Sequence, residues 1–169
     1  APLFAELPPG TVQILVGDGT VGAALVANPE VDGIAFTGST ATGKAIAHTA
    51  IDRMARVNLE MGGKDAMLIC DDLTDEQLQI AAEGTAWAAF LNAGQVCTSA
   101  ERFYVHRSVY DEFVSEFVAY TESLRLGDPL APTTDIGPMV SGPQRDKVVA
   151  QVQAAVAAGA EVVTGGGRG

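Results

Sequence analysis

Along the chain, hydrophobic and polar positions alternate between short β-rich runs and longer stretches at helical spacing, with Gly, Asn, Asp and Pro between them. Thr11 to Val16 (TVQILV) is a compact apolar run closed by Gly17-Asp18-Gly19, which predicts a strand. Val21 to Ala27 then reads as a helix ended by Asn28-Pro29. Ile34 to Phe36 predicts a short strand running into Thr37-Gly38-Ser39, and the Ala-rich stretch from Thr40 to Ile51 predicts the helix after it. Arg56 to Leu59 and Ala66 to Cys70 predict two further strands, split by Met61-Gly62-Gly63-Lys64, where a hinge or domain crossing is expected.

The stretch from Thr74 to Leu91 is apolar nearly all round, which for a helix predicts burial on most sides, with Trp87 and the Phe residues in the core. Such a helix would aim Asn92 to Thr98 at the interior. Phe103 to His106 predicts a strand, and Asp111 to Leu124 predicts a half-exposed amphipathic helix carrying Phe113, Val114, Phe117 and Val118 opposite its acids. A Pro- and Gly-rich loop from Gly127 to Gly142 leads to a helix from about Gln144 to Ala158, then a strand at Glu161 to Thr164. Alternation of this kind predicts an α/β fold, with parallel sheets covered by helices.

Composition narrows the function classes. The chain has 169 residues, a formal charge of −11 and 47% hydrophobic residues, the content of a packed core rather than of a disordered segment. Its acidity is a poor match to nucleic acid or an anionic membrane, which need clustered Lys and Arg. No apolar run reaches the roughly 18 to 20 residues of a membrane span, and two cysteines are too few for a disulfide framework. A cytoplasmic protein with no nucleic-acid or membrane partner is expected. The start at Ala1 and the end in Gly165-Gly166-Gly167-Arg168-Gly169 suggest a piece of something longer.

Three places could carry chemistry. In Phe36-Thr37-Gly38-Ser39-Thr40-Ala41-Thr42-Gly43, a glycine turn joins a strand to a helix, so free N–H groups and a Ser hydroxyl meet at an anion-binding helix N-terminus. Lys44 after Gly43 superficially resembles a phosphate loop, but Ala45 stands where the magnesium-binding hydroxyl belongs, which excludes ATP or GTP. A dinucleotide pyrophosphate and a purely structural turn both stay open. Glu60 ends an apolar strand beside Met61-Gly62-Gly63, where small residues leave room for a substrate; it reads either as a general base or as a solvated loop acid. Cys97, in Asn92-Ala93-Gly94-Gln95-Val96-Cys97-Thr98, follows a rigid helix in a turn with free amides, a setting for a nucleophile or for a small buried residue. Cys70, within Met67-Leu68-Ile69-Cys70, fits the buried reading. His48 and His106 have no metal-ligand spacing, so no metal site is expected.

In order, LPPG (Leu7 to Gly10), FTGST (Phe36 to Thr40) with Gly43, LEMGGK (Leu59 to Lys64), FLNAGQVC (Phe90 to Cys97), YDEFV (Tyr110 to Val114), GDPL (Gly127 to Leu130) and IGP (Ile136 to Pro138) closely resemble the NAD(P)-dependent aldehyde dehydrogenase superfamily. The resemblance runs nearly end to end and covers about the middle third of a family member. It implies that Cys97 attacks an aldehyde to give a thiohemiacetal and then a thioester, and that Glu60 activates the hydrolytic water. By the same resemblance Thr37, Gly38, Ser39 and Gly43 meet the cofactor, NAD or NADP, Met61 offers backbone near the nicotinamide, and Gln144 approaches a ribose. The Cys97 amide would form half of an oxyanion hole.

The resemblance further implies that residues 1–63 are the second half of the cofactor domain and 64–169 the first part of the catalytic thiol domain, of a full-length homodimer or homotetramer acting on a small-molecule aldehyde. The family's side-chain oxyanion Asn, its adenosine-ribose Lys and acid pair, and a Glu that meets the nicotinamide ribose all fall outside this sequence. The chain is also a few residues longer than is usual around Asp71 to Gln79, and has Glu101 where many relatives have a small residue. A CoA-acylating relative, a non-catalytic fragment or interaction module, and an esterase side activity of Cys97 are the competing readings.

Overall fold

The computed structural model describes residues 4–167, so Arg168 and Gly169 of the terminal glycine turn lie outside the described residues. The chain is α/β and divides into two compact units, Ala1–Gly62 and Gly63–Gly169.

In the first unit, α1 (Gly19–Ala27) is capped by the Asp18 carboxylate, which accepts the Thr20 N–H at 2.9 Å. β1 (Gly33–Gly38) leads through Ser39 into α2 (Thr40–Ile51), and β2 (Arg56–Met61) pairs with β1 in parallel. The α2 helix buries Gly43, Ile46 and Ala50, three and four residues apart, as a helix with one face on a sheet must.

In the second unit, β3 (Asp65–Ile69) pairs in parallel with β4 (Ala100–Val105), with a register shift between Asp65 and Ala66. The connection is α3 (Asp75–Phe90) and a 3-10 turn, Leu91–Gly94. Then come α4 (Tyr110–Ser123) and α5 (Gly142–Ala157). Ile69, Leu78, Ala82 and Phe113 form the core, joined by Met67, Val105 and Phe117. Phe113 and Phe117, one helical turn apart, stack with ring centroids 6.0 Å apart.

Several expectations need correction. Thr11 to Val16 forms no strand: Thr11 closes a turn on Pro8, with its N–H and hydroxyl both on the Pro8 carbonyl, and Ile14 and Val16 are exposed. Glu161 to Thr164 likewise forms none, following Gly159 at φ +98° and reaching Glu122 only through the Thr164 hydroxyl. Apolar β-branched runs favour extended backbone, but a strand exists only where a neighbour takes its N–H and C=O groups. The α3 helix is one-sided rather than buried all round. Leu78, Ala82, Thr85 and Ala86 face the core, while Trp87 is 63% and Ile80 61% exposed, because within this unit only one face of α3 is covered. Cys70 is exposed too, one residue beyond the end of β3. Among the described residues, no helix is long and apolar enough to cross a membrane.

Candidate functional site

In the first unit, the parallel register sets Thr37 opposite Glu60 and Gly38 opposite Met61. Four candidates therefore stand side by side at the C-terminal ends of two strands. That edge is where parallel α/β sheets take ligands, because the helix N-termini gather there. Ser39 turns the chain from β1 into α2, its hydroxyl accepting the Thr42 N–H at 3.2 Å and lying 2.9 Å from the Thr42 hydroxyl. The N–H groups of Thr40 and Ala41 open the helix and have no intrahelical acceptor. With no acid in this first turn, the positive end of the helix dipole is uncompensated and suits an anion.

Close approach explains the two glycines. A Cβ on buried Gly43 would fall 2.7 Å from Met61 Sδ, and one on Gly38 would fall 2.5 Å from the Phe36 ring. Beside this turn, Gly22, Val26, Ile34, Phe36, Thr42 and Ile46 line a mostly apolar groove of about 570 Å³ between α1 and α2. Glu60 is exposed, and the Asn58 carboxamide reaches its carboxylate at 3.5 Å.

In the second unit, α3 delivers the thiol. Thr74 and Gln77 form a reciprocal capping box that fixes where α3 starts. After Phe90 the chain turns sharply, with Asn92 at φ 54° and Ala93 at φ 57°, a left-handed conformation that is unfavourable for Ala. Gln95 holds this turn. Its Nε2 donates to the Asn92 carbonyl at 2.9 Å, its own carbonyl accepts from the Asn92 side chain at 3.2 Å, and its Oε1 accepts the Val140 N–H at 2.9 Å. The nucleophile candidate follows at once. Cys97 is exposed in a turn closed by the Ser99 N–H on the Val96 carbonyl at 3.1 Å, and its own carbonyl accepts the Gly63 N–H at 3.4 Å. Among the described residues no acceptor takes the Cys97 N–H, so this donor is available beside the thiol.

The strap that Gln95 grips leads into α5. Ser141 caps that helix by accepting the Gln144 N–H at 3.3 Å, so Gln144 sits in the first turn, half-buried, four residues beyond Val140. Glu101, the residue that stands out in the sequence, pairs with Lys64 at 2.6 Å, while Arg102 Nε donates to the Lys64 carbonyl at 2.7 Å. The candidates thus fall into one group, Thr37, Gly38, Ser39, Gly43, Glu60 and Met61, in the first unit, and Cys97 and Gln144 in the second. Gln95 lies within the FLNAGQVC segment, yet nothing local marks it as the residue that holds the turn. Its decisive partner is 45 positions away, and no local pattern announces such a bond.

Residues 2–169 match the model of the aldehyde dehydrogenase family. Vanillin dehydrogenase of Amycolatopsis is 41% identical over 162 residues, 96% of this chain and 33% of that protein. A 2-hydroxymuconic semialdehyde dehydrogenase of Pseudomonas putida is 42% identical over 165 residues, again 96% of this chain and 33% of the relative. Among solved structures, betaine aldehyde dehydrogenase from Staphylococcus aureus in complex with NAD+ superposes with a TM-score of 0.92 at 32% identity, over 97% of this chain and 32% of that one. The chain spans about a third of the length of the curated relatives it matches.

Proposed function

The chain belongs to the aldehyde dehydrogenase family, and we propose that it carries the nucleophile, the base and part of the cofactor contact of an enzyme that oxidises an aldehyde to a carboxylic acid with NAD+ or NADP+. One observation carries this reading: Cys97 is exposed on a turn fixed from three sides, with an unspent backbone N–H beside it. A buried structural cysteine needs neither feature.

The residues present fit a dinucleotide. The α2 N-terminus offers the Thr40 and Ala41 amides and the Ser39 hydroxyl to a pyrophosphate, and the apolar groove beside it offers an apolar lining to the base. Gly38 and Gly43 keep side chains out of this corner. Thr37, Met61 and Gln144 would complete the contacts, and the Staphylococcus aureus relative was solved in complex with NAD+.

The Cys97 thiolate adds to the aldehyde carbon, and the oxygen that becomes negative is met by the Cys97 N–H. When bound, a nicotinamide would supply the two-electron acceptor for the hydride that leaves the thiohemiacetal carbon, and Cys97 would then hold the acyl group as a thioester. Glu60 then takes a proton from water as its oxygen attacks the thioester carbonyl, and the carbon–sulfur bond breaks to release the acid and return the thiolate. The division of labour between Cys97 and Glu60 gives a direct test. In a polypeptide that carries this segment within the rest of a family member, Cys97→Ala should abolish NAD(P)H formation with every aldehyde tried. Persistent turnover would rule the assignment out.

A further inference from the structure

We propose that Arg53 is a positioning residue that holds α1 against α2 and so sets the groove that takes the flat base of the dinucleotide. The inference rests on reading the first unit as the cofactor-binding part.

Arg53 lies just past α2, half-buried, and spans two segments of backbone with one guanidinium. One terminal nitrogen donates to the Val26 carbonyl, the other to the Val31 carbonyl, each at 2.5 Å. Val26 belongs to the last turn of α1, where carbonyls lack intrahelical partners and the helix dipole is negative, so a cation is well placed there. Val26 also lines the groove. The other end of the strut is equally fixed: the Arg53 and Ala55 N–H groups both donate to the Ala50 carbonyl, and Ala50 is buried.

The need for such a strut follows from α1 itself. None of its nine residues is buried, whereas α2 anchors Gly43, Ile46 and Ala50. A helix without a buried face has little hydrophobic free energy fixing it in place. Its position then depends on specific bonds, and the two from Arg53 reach across 27 and 22 positions of sequence. A lysine has one point charge and cannot bridge two carbonyls in a fixed fork. Arg53 does not itself enter the groove; it acts through Val26.

The test uses the chain as it is, with AMP as the probe for the groove and inorganic pyrophosphate as the probe for the α2 N-terminus, each titrated by NMR. Arg53→Lys and Arg53→Met should weaken AMP binding about fivefold if the formed groove falls to about one-fifth occupancy, while pyrophosphate binding stays at its original strength. Unchanged AMP affinity in both variants would overturn the role of Arg53 and leave the cofactor reading standing. Parallel loss of both probes would also overturn it, showing a general folding role. Failure of the unsubstituted chain to bind AMP would contradict the groove reading itself and the inference with it.

Discussion

The Gly63 N–H donates to the Cys97 carbonyl across 3.4 Å, which ties the end of the LEMGGK segment to the turn that presents the thiol. Covalent geometry keeps Glu60, three residues earlier, within about 11 Å of Gly63.

The thiol turn has a second tether in Gln95. Gln95→Ala removes the bonds to Val140 and Asn92, and each such bond is worth about 1 kcal/mol net. The expected outcome is a loss of about 1–2 kcal/mol in urea unfolding, with faster hydrogen exchange at the Val140 amide. A Val140 amide as protected as before would show that this bond does not hold the strap.

Thr74→Ala breaks the capping box at the start of α3, the helix that delivers Cys97. Such a cap is worth about 1 kcal/mol, so the midpoint of thermal unfolding should fall while the helix content at low temperature stays close to that of the parent. Circular dichroism reads both.

Much of this architecture is legible in the sequence, and the boundary of legibility is physical. The limits of α2 follow from Ser39 as a cap and an Ala-rich run, both local signals, and the structure places the helix at Thr40–Ile51 as expected. Among the described residues the four strands each found a parallel partner, whereas the apolar runs at Thr11 to Val16 and Glu161 to Thr164 did not. Pairing is non-local, and periodicity does not report it. Burial fails for the same reason at Trp87 and Cys70, whose character is apolar but whose exposed sides no element of their unit covers. The candidate residues were visible because they sit in recognisable segments. The side chains that hold those segments, Gln95 and Arg53, reach backbone tens of residues away and leave no local mark.

Asp135 gives the second unit an acid-sensitive clasp. Side-chain bonds from Arg125 at 2.8 and 3.0 Å, and the Arg125 N–H at 2.9 Å, hold its carboxyl at about 2, down from 3.8. A depressed carboxyl contributes stability that is present above its unfolded value and is lost as pH falls toward the folded one. Stability of the unit should therefore decline between about pH 4 and pH 2, and Asp135→Asn should lose that part of the decline. Unfolding curves at steps through this window measure both proteins, and identical slopes would contradict the clasp.

At Gly43, Ala would push Met61 Sδ away from a 2.7 Å approach, and Val would intrude further. Met61 is 37% exposed and can move, so unfolding free energy should change by about 1 kcal/mol or less for Gly43→Ala. The affinity for NAD+, measured by calorimetry, should fall in the order Gly, Ala, Val. Equal affinity in all three would mean that this corner is not a cofactor contact.

The proposed division of labour between Cys97 and Glu60 is tested most directly by rapid-mixing kinetics and mass spectrometry of Glu60→Gln, within a polypeptide that supplies the rest of the family fold. Loss of a general base slows its step by about 10²- to 10⁴-fold, so the variant should release a stoichiometric burst of NAD(P)H and then stall with an acyl group on the Cys97 peptide. Undiminished steady turnover, or an acyl group found elsewhere than on Cys97, would contradict the account.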